Sequence, residues 1–527
     1  MDEGKKSTPL VEMRGITKRF SGVTANSDVN FSVEAGEVHA LLGEHGAGKS
    51  TLMNVLYGLY APDGGRIFVA GRPVTFRSPR DAIAAGIGMV HQNFMLVQTL
   101  TVWENMILGL KGTPFVLPGK KIQNRIAGIS EQYGLEIDPR AAVWQLSTGE
   151  RQRVAILQML YRNARVLILD EPTAVLTHQE AGRLFRTIRR MTEEGHGVVF
   201  ISHKMNEVMN ETRRVTVLRG GKNAGAAMTA ETTGEALAEM MMGRKVPLDL
   251  YRKPMRAGPA VFEADDLRAL NDRGLDAVGG LSFHLRQNEI LGVAGIAGNG
   301  QRELCEALVG LRALTGGTVR MGGANLTNAS PRRFVDRGVR YIPGDRRGVG
   351  MAPGMDISSN AILRRYWSKP VASGAFIDWK RSEKLSRQII RDFNVSAPSP
   401  RTPVRNLSGG NLQKFLMGRE LSDSPKVVIV MHPTWGLDVA ATRYVREQLL
   451  AQREAGAAIL LISEDLDELL ALSDRLAVLY RGRFMGILAE PEGVPPEKIG
   501  LMMAGTWISE ALKDSAPENG SAKEAAS

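Results

Sequence analysis

Lys49 and Ser50 close the run Gly43-Glu44-His45-Gly46-Ala47-Gly48-Lys49-Ser50-Thr51. The spacing Gly-x-x-x-x-Gly-Lys-Ser is that of a loop built to hold a polyphosphate. Its glycines let backbone N–H groups turn inward on an anion, at the positive end of a helix dipole. Lys49 would reach the β- and γ-phosphates of a nucleotide, and the Ser50 hydroxyl would hold Mg²⁺. Such a loop needs a buried strand before it and a helix after it. Val38-His39-Ala40-Leu41-Leu42 supplies the strand, and Leu52, Val55, Leu56 and Leu59 fall at helical spacing.

A second group of chemically capable residues follows the apolar run Val166-Leu167-Ile168-Leu169, namely Asp170-Glu171-Pro172-Thr173. Four consecutive apolar residues predict a buried strand of a parallel sheet, which puts both acids at its carboxyl end. Ligands of open α/β sheets bind beyond that edge. Asp170 is therefore placed to reach Mg²⁺, and Glu171 to orient or deprotonate an attacking water.

These landmarks occur twice. Gly43-Glu44-His45-Gly46-Ala47-Gly48 matches Gly295-Ile296-Ala297-Gly298-Asn299-Gly300, an offset of 252. Leu146-Ser147-Thr148-Gly149-Glu150 matches Leu407-Ser408-Gly409-Gly410-Asn411, and Pro172-Thr173 matches Pro433-Thr434, both at 261. A period near 250 indicates a duplicated domain, and the growing offset predicts an insertion in the second copy. Between the copies, 244–260 carries five basic residues and three prolines without apolar periodicity, and reads as a linker. Residues 1–9 are expected to fray, and the Ala-, Ser-, Glu- and Lys-rich tail to be disordered.

The bulk numbers agree with two domains: 527 residues are too many for one hydrophobic core. A net charge of +11 suits an anionic partner such as a nucleotide. One cysteine, Cys305, excludes an internal disulfide and a Cys-cluster zinc site, and suits a reducing cytosol. No apolar run approaches the roughly 18 residues that span a bilayer, and the first residues lack a signal-peptide core. Work at a membrane would require another chain.

With these motifs in hand, the chain resembles the ATP-binding subunit of an ABC transporter, of the simple sugar and nucleoside importer type with two fused nucleotide-binding domains. The diagnostic piece is Leu407-Ser408-Gly409-Gly410-Asn411, close to the family signature Leu-Ser-Gly-Gly-Gln. The resemblance implies an α/β fold of two tandem P-loop ATPase domains. Each would have a RecA-like core, an antiparallel β subdomain and a helical signature subdomain. Their expected bounds are 10–243 and 261–510, with 244–260 as linker and 511–527 as a disordered tail. The implied ligands are ATP and Mg²⁺. ATP would sit between the phosphate loop of one domain and the signature of the other, facing head to tail. Phe20 would stack on adenine, Gln92 would lie near Mg²⁺ and water, and His203 would be the switch histidine. Leu407 to Asn411 and Asp438 of Gly436-Leu437-Asp438 would complete the site built on Gly43 to Thr51, Asp170 and Glu171.

The second copy lacks that chemistry. Gln301 and Arg302 stand where Lys49 and Ser50 do, and Met431-His432 replaces Asp170-Glu171. Glu464 takes the switch-histidine position and Gly344 the position of Gln92, with no aromatic residue near Leu270 to match Phe20. Arg302 still offers positive charge, so a nucleotide could bind, but hydrolysis there should be negligible. The signatures show the opposite bias: Thr148 replaces a glycine in the first, and Thr177 stands where the second copy keeps Asp438. One complete and one degenerate site are expected.

Three stretches resemble the nucleoside branch: Ser78 to Ile83, Gly86 to Val97, and Leu461 to Leu469. Monosaccharide import is the alternative. A ribosome-associated twin-domain ATPase fits less well, because that class carries a Lys-rich linker and two intact sites. By resemblance, the apolar segment from Phe94 to Gly109 docks one of two transmembrane permease subunits. An extracytoplasmic solute-binding protein would act indirectly, and no nucleic acid would take part. The chain would sit peripherally on the cytoplasmic face of the inner membrane.

Overall fold

A strand that is apolar at every position must be covered on both faces of its sheet, and the phosphate loops hang from strands of that kind. The computed structural model describes the chain apart from residues 1–7, 45, 92–93, 111–117, 174–175, 177, 203, 244–250, 374–375 and 512–527, and apart from the side chains of 178, 179 and 373. His45, Gln92, Thr177, His203, part of the expected linker and nearly all of the expected tail therefore lie outside the described residues. The chain divides into two units, Met1–Leu248 and Asp249–Ser527.

In the first unit the strands are β1 (Val11–Phe20), β2 (Val23–Val33), β3 (Val38–Gly43), β4 (Gly64–Val69), β5 (Arg72–Val74), β6 (Ile87–Val90), β7 (Val166–Asp170), β8 (Gly197–Ile201), β9 (Arg214–Arg219) and β10 (Lys222–Met228). They form an antiparallel sheet in the order β2-β1-β4-β5 and a six-stranded sheet in the order β10-β9-β3-β8-β7-β6. The larger sheet is parallel except for the β9–β10 hairpin. Every residue of β3 is buried. Along β7, Val166 and Ile168 pack into one core with β1 and the helix Lys49–Leu56, while Leu167 and Leu169 pack into a second core with the helix Thr148–Tyr161. Period-two alternation between two cores explains why the run is wholly apolar.

The second unit repeats this plan. Its strands are β11 (Ala260–Leu270), β12 (Asp276–Arg286), β13 (Glu289–Ala294), β14 (Gly316–Met321), β15 (Ala324–Asn325), β16 (Val339–Ile342), β17 (Ala372–Ser373), β18 (Phe376–Ile377), β19 (Val427–Met431), β20 (Ala458–Ser463), β21 (Arg475–Tyr480) and β22 (Arg483–Leu488). The sheet orders are β12-β11-β14-β15 and β16-β19-β20-β13-β21-β22, strand for strand those of the first unit. Val427 and Ile429 face one core, Val428 and Val430 the other.

The expected insertion proves to be divided. An isolated bridge pairs Thr101 with Ala142 in the first unit and Asp356 with Pro403 in the second, so the offset is 255 at its first strand and 261 at its second. The later part of the extra length coincides with the β17–β18 ribbon, which has no counterpart among the described residues of the first unit. The helix after the first phosphate loop is shorter than the apolar spacing predicts. It ends at Leu56, and Leu59 lies beyond it, 47% exposed.

Candidate nucleotide sites

The first phosphate loop joins β3 to the helix Lys49–Leu56, in the order the sequence predicts. Its close approach to the antiparallel sheet forces a glycine at 48. There φ is +97°, and a Cβ would lie 2.4 Å from the Ala25 carbonyl oxygen. Gly43 ends β3, Ala47 is buried, Gly46 and Ser50 are exposed, and Glu44 and Thr51 are half-buried. Lys49 Nζ donates to the carbonyls of Gly43 at 2.6 Å and Glu44 at 3.0 Å, folding back over its own loop. The helix has no acidic residue in its first turn to cancel its dipole. Phe20, at the end of β1, is 42% exposed, T-shaped against Tyr60 with ring centres 5.3 Å apart and with Lys18 Nζ 5.5 Å from its ring centre. An exposed aromatic ring thus stands at the rim of the unit.

Asp170 ends β7, and the chain turns sharply at Glu171, whose φ is +47°. Its N–H donates to the Ile201 carbonyl at 3.0 Å, which fixes the turn against β8. A carboxylate residue in the left-handed region is uncommon and marks a constrained position. Burial, and then the neighbouring Glu171 charge, push the Asp170 carboxyl up to about 6, while Lys49 pulls it down. Two carboxyls against one ammonium leave the edge short of positive charge. A divalent cation held by Asp170 and the Ser50 hydroxyl would restore the balance, so the donor set fits Mg²⁺.

Both signature helices start from a capping serine, but with different chemistry. Ser147 caps Thr148–Tyr161 by accepting from Glu150 N–H at 3.3 Å, and Glu150 returns its carboxylate to Ser147 N–H at 2.8 Å. This capping box satisfies the helix end with a negative charge. Ser408 caps Gly409–Leu421, where its Oγ accepts from the Asn411 backbone at 3.4 Å and from Asn411 Nδ2 at 2.9 Å. With its lone pairs so engaged, the exposed Ser408 hydroxyl keeps its proton for an outside acceptor. Leu407 is buried and anchors the turn. Gly410 lies beside Asp438, which caps the helix Val439–Glu454 through Ala441 N–H at 2.7 Å. The second signature is therefore neutral and donor-rich, the first acidic.

Two functional-looking features escape a reading of motifs. Asn26, wholly buried on β2, donates from Nδ2 to the Gly48 carbonyl at 3.1 Å and so tethers the end of the loop. An asparagine at a buried register position of a strand is the signal that could have found it. Glu207 braces the switch region: it accepts from Thr173 Oγ1 at 2.7 Å and Ser202 Oγ at 3.2 Å, with Lys204 Nζ at 3.2 Å. Glu468 repeats the brace with Ser463 Oγ at 2.7 Å, and Thr434 stands at the position of Thr173. The recurrence of Thr, Ser and Glu at the offset of 261 was visible in the sequence.

The segment after Gln92 divides by burial. Phe94, Leu96, Trp103 and Ile107 pack against the helical core, whereas Met95 is 79% exposed and Val97 and Leu108 are also outside.

Two P-loop units of one topology, each with a serine-capped signature helix, define a twin ATP-binding cassette. Family comparison carries this further: a model described as ABC transporter matches residues 26–174 and 278–434. The chain is 42% identical to the glucose import ATP-binding protein TsgD13 of Haloferax volcanii, over 94% of this chain and 96% of that one. It is 40% identical to the nucleoside import ATP-binding protein NupA of Lactococcus lactis, over 95% and 99%. To the ribose import ATP-binding protein RbsA 1 of Rubrobacter xylanophilus it is 41% identical, over 94% and 99%. This chain belongs to the ABC transporter family, among its import ATP-binding proteins with two ABC domains, and is an ATPase of that type. A chain in the crystal structure of archaeal ribosomal stalk protein aP1 with the ribosome recycling factor aABCE1 aligns over 91% of both chains, with a TM-score of 0.61 and 19% identity, a likeness of fold alone. No helix among the described residues is long and apolar enough to cross a membrane.

Proposed function

We propose that the chain hydrolyses ATP at one of its two nucleotide positions and so powers import of a nucleoside through a membrane permease. The observation that carries the one-site reading is the contrast at the ends of β7 and β19. The turn is the same in both units, but it bears Asp170-Glu171 in one and Met431-His432 in the other. In the working site Lys49 exchanges its carbonyl partners for the β- and γ-phosphates, and Phe20 offers its open face to adenine. Glu171 takes the proton of the attacking water, which Gln92 and His203 help to position and sense. Ser50, Asp170 and Gln92 would hold Mg²⁺, which would neutralise charge on the triphosphate. Ser408, Gly409, Gly410 and Asn411 close over the γ-phosphate, with Asp438 beside them, if the units pair head to tail as the family resemblance implies.

Two transmembrane permease subunits are the partners this reading requires, with the chain peripheral on the cytoplasmic face. Exposed Met95 and Val97 belong to the docking face for one of them. A solute-binding protein outside the membrane would deliver the cargo.

Nucleosides are favoured by the three stretches named above, Ser78 to Ile83, Gly86 to Val97 and Leu461 to Leu469. Monosaccharides remain the second reading, because relatives of equal identity are glucose and ribose import proteins. Two measurements test the proposal. Glu171→Gln should abolish steady-state phosphate release while ATP still binds, and near-normal turnover in that variant would refute the one-site account. Uptake of labelled guanosine and ribose by cells carrying the complete transporter separates the two cargo classes, and ribose uptake alone would remove the nucleoside assignment.

A further inference from the structure

The second phosphate loop keeps the backbone of the first but fills it with the chain's own side chains. At the position of Lys49 stands Gln301, which is buried and donates from Nε2 to the Ile296 carbonyl at 2.7 Å. That contact is the counterpart of Lys49 Nζ on the Glu44 carbonyl, made by a neutral amide. Oε1 of Gln301 then accepts from the Asn299 N–H at 3.0 Å, using a loop donor that a phosphate would need. Asn299 adds Nδ2 to the same Ile296 carbonyl at 2.9 Å, and its Oδ1 accepts from Arg481 N–H at 2.8 Å. The Glu464 carboxyl lies close enough to a further loop donor, Ala297 N–H, for that dipole to offset part of the effect of its burial. Glu464 stands at the switch-histidine position of the sequence, so a carboxyl group, its pKa raised by burial, takes the place of an imidazole there.

The positive charge expected to draw a nucleotide is also spent. Arg302 Nε pairs with Glu306 at 2.7 Å, and its NH2 pairs with Asp272 at 3.0 Å. Arg312 shares both carboxylates at 2.7 Å. Glu303 sits in the first turn of the helix Gln301–Leu308, opposing the dipole that an anion would use, where the first unit has no acid. A triphosphate entering this loop would have to break the Gln301 contacts and lie beside the carboxyl groups of Glu464 and Glu303.

We propose that the second loop binds no nucleotide, because the Gln301 amide occupies it as a built-in substitute for the ligand, with the acidic Glu464 in place of the switch histidine. The chain then carries one ATP in all, at the first loop. This rests on the reading of the chain as a twin cassette with one hydrolytic site, and it goes beyond that reading, since a site that cannot hydrolyse can still bind.

The test is the number of ATPγS molecules bound per full-length chain in equilibrium dialysis with Mg²⁺ at saturating ligand. Wild type should hold one, and Lys49→Ala should hold none in the range where wild type is saturated, with affinity reduced at least a hundredfold. Two molecules per wild-type chain, or one persisting in Lys49→Ala, would overturn the proposal. The double variant Gln301→Lys, Glu464→Ala should gain a second equivalent. A folded double variant that still binds one would show that these side chains are not the barrier, and would overturn it equally. Phosphate release by Glu171→Gln is scored separately: persistent turnover there defeats the one-site reading whatever the count of bound nucleotide.

Discussion

The ends of β7 and β19 are one backbone carrying two chemistries. Glu171 and His432 both adopt left-handed φ, +47° and +44°, and both donate their N–H to the neighbouring strand, Ile201 at 3.0 Å and Ile462 at 2.8 Å. At the switch-histidine position the sequence has His203 in one unit and Glu464 in the other, so acid and imidazole have changed places along the chain. In the second unit the pair lies 3.9 Å apart, and burial depresses the His432 imidazole. The strained turn therefore persists where no hydrolysis is expected of it, held by its hydrogen bond to β20 and by the core beneath. Backbone geometry at a catalytic position is thus evidence of descent and packing, and the side chains alone decide the activity.

The paired turn residues carry the greatest difference in chemistry between the two units. Glu171→Gln should lower phosphate release by about a thousandfold, the scale of a lost general base. His432→Gln, the same kind of change at the same backbone, should leave release within about twofold of wild type. Equal losses in the two variants, measured at saturating ATP, would mean that the second turn takes part in hydrolysis after all.

The signature helices give the next contrast. If the units pair head to tail, Asn411 faces the working ATP and Glu150 faces the degenerate loop. Asn411→Glu, which copies the first unit's capping box into the second, brings like charge towards a γ-phosphate. Hydrolysis should fall at least tenfold, in keeping with the cost of juxtaposed like charges. Glu150→Asn should change it by less than about twofold. The reverse ranking would assign the first signature to the working site and undo the pairing.

A smaller effect follows from Asp170, whose counterpart Met431 cannot titrate. Its carboxyl is pushed up to about 6, so it ionises only as pH rises through that value. Since Mg²⁺ prefers the carboxylate, the Mg²⁺-dependent part of ATP affinity should weaken as pH falls from 7 to 5, with a midpoint near 6. Removing the Glu171 charge, which helps to raise the carboxyl, should move the midpoint down in Glu171→Gln. A midpoint that stays fixed in that variant would deny the coupling between the two acids. Affinity measured without Mg²⁺ is the control.

Much of this was legible from residues alone, because phosphate chemistry ties residue type to short fixed spacings. The two loops, the acidic strand end and the second signature are contiguous in sequence, and their strands are apolar enough to be read directly. What escaped reading depends on contacts between distant elements. Asn26 matters because β2 brings it 3.1 Å from the Gly48 carbonyl, a register no local pattern specifies. Arg302 is a free cation in the sequence, but folding pairs it with Asp272, 30 residues away. Gln301 looks like a simple loss of lysine until its amide is seen filling the loop. The helix after the first loop stops at Leu56 although the apolar spacing runs on to Leu59, because Gly58, at φ +78° and close to the Ser78 carbonyl, turns the chain away.

Asn26 supplies the finest version of the comparison, since Val278 occupies the matching position and is equally buried. Nδ2 of Asn26 holds Gly48, but its Oδ1 has no partner among the described residues. Replacing it by valine removes a hydrogen bond worth about 1 kcal/mol and also an unsatisfied acceptor that costs about 1–3 kcal/mol. The two terms oppose each other and net between zero and about 2 kcal/mol in favour of valine, so Asn26→Val should not lower Tm. Function should not cancel in the same way: without the tether the loop end is less preorganised for phosphate, and the Kd for ATP should rise about fivefold, near 1 kcal/mol. A large drop in Tm with unchanged Kd would make Asn26 a structural residue. The reverse pattern would show that the first unit keeps a buried, half-satisfied amide for the sake of its ligand, which is the cost its silent partner no longer carries.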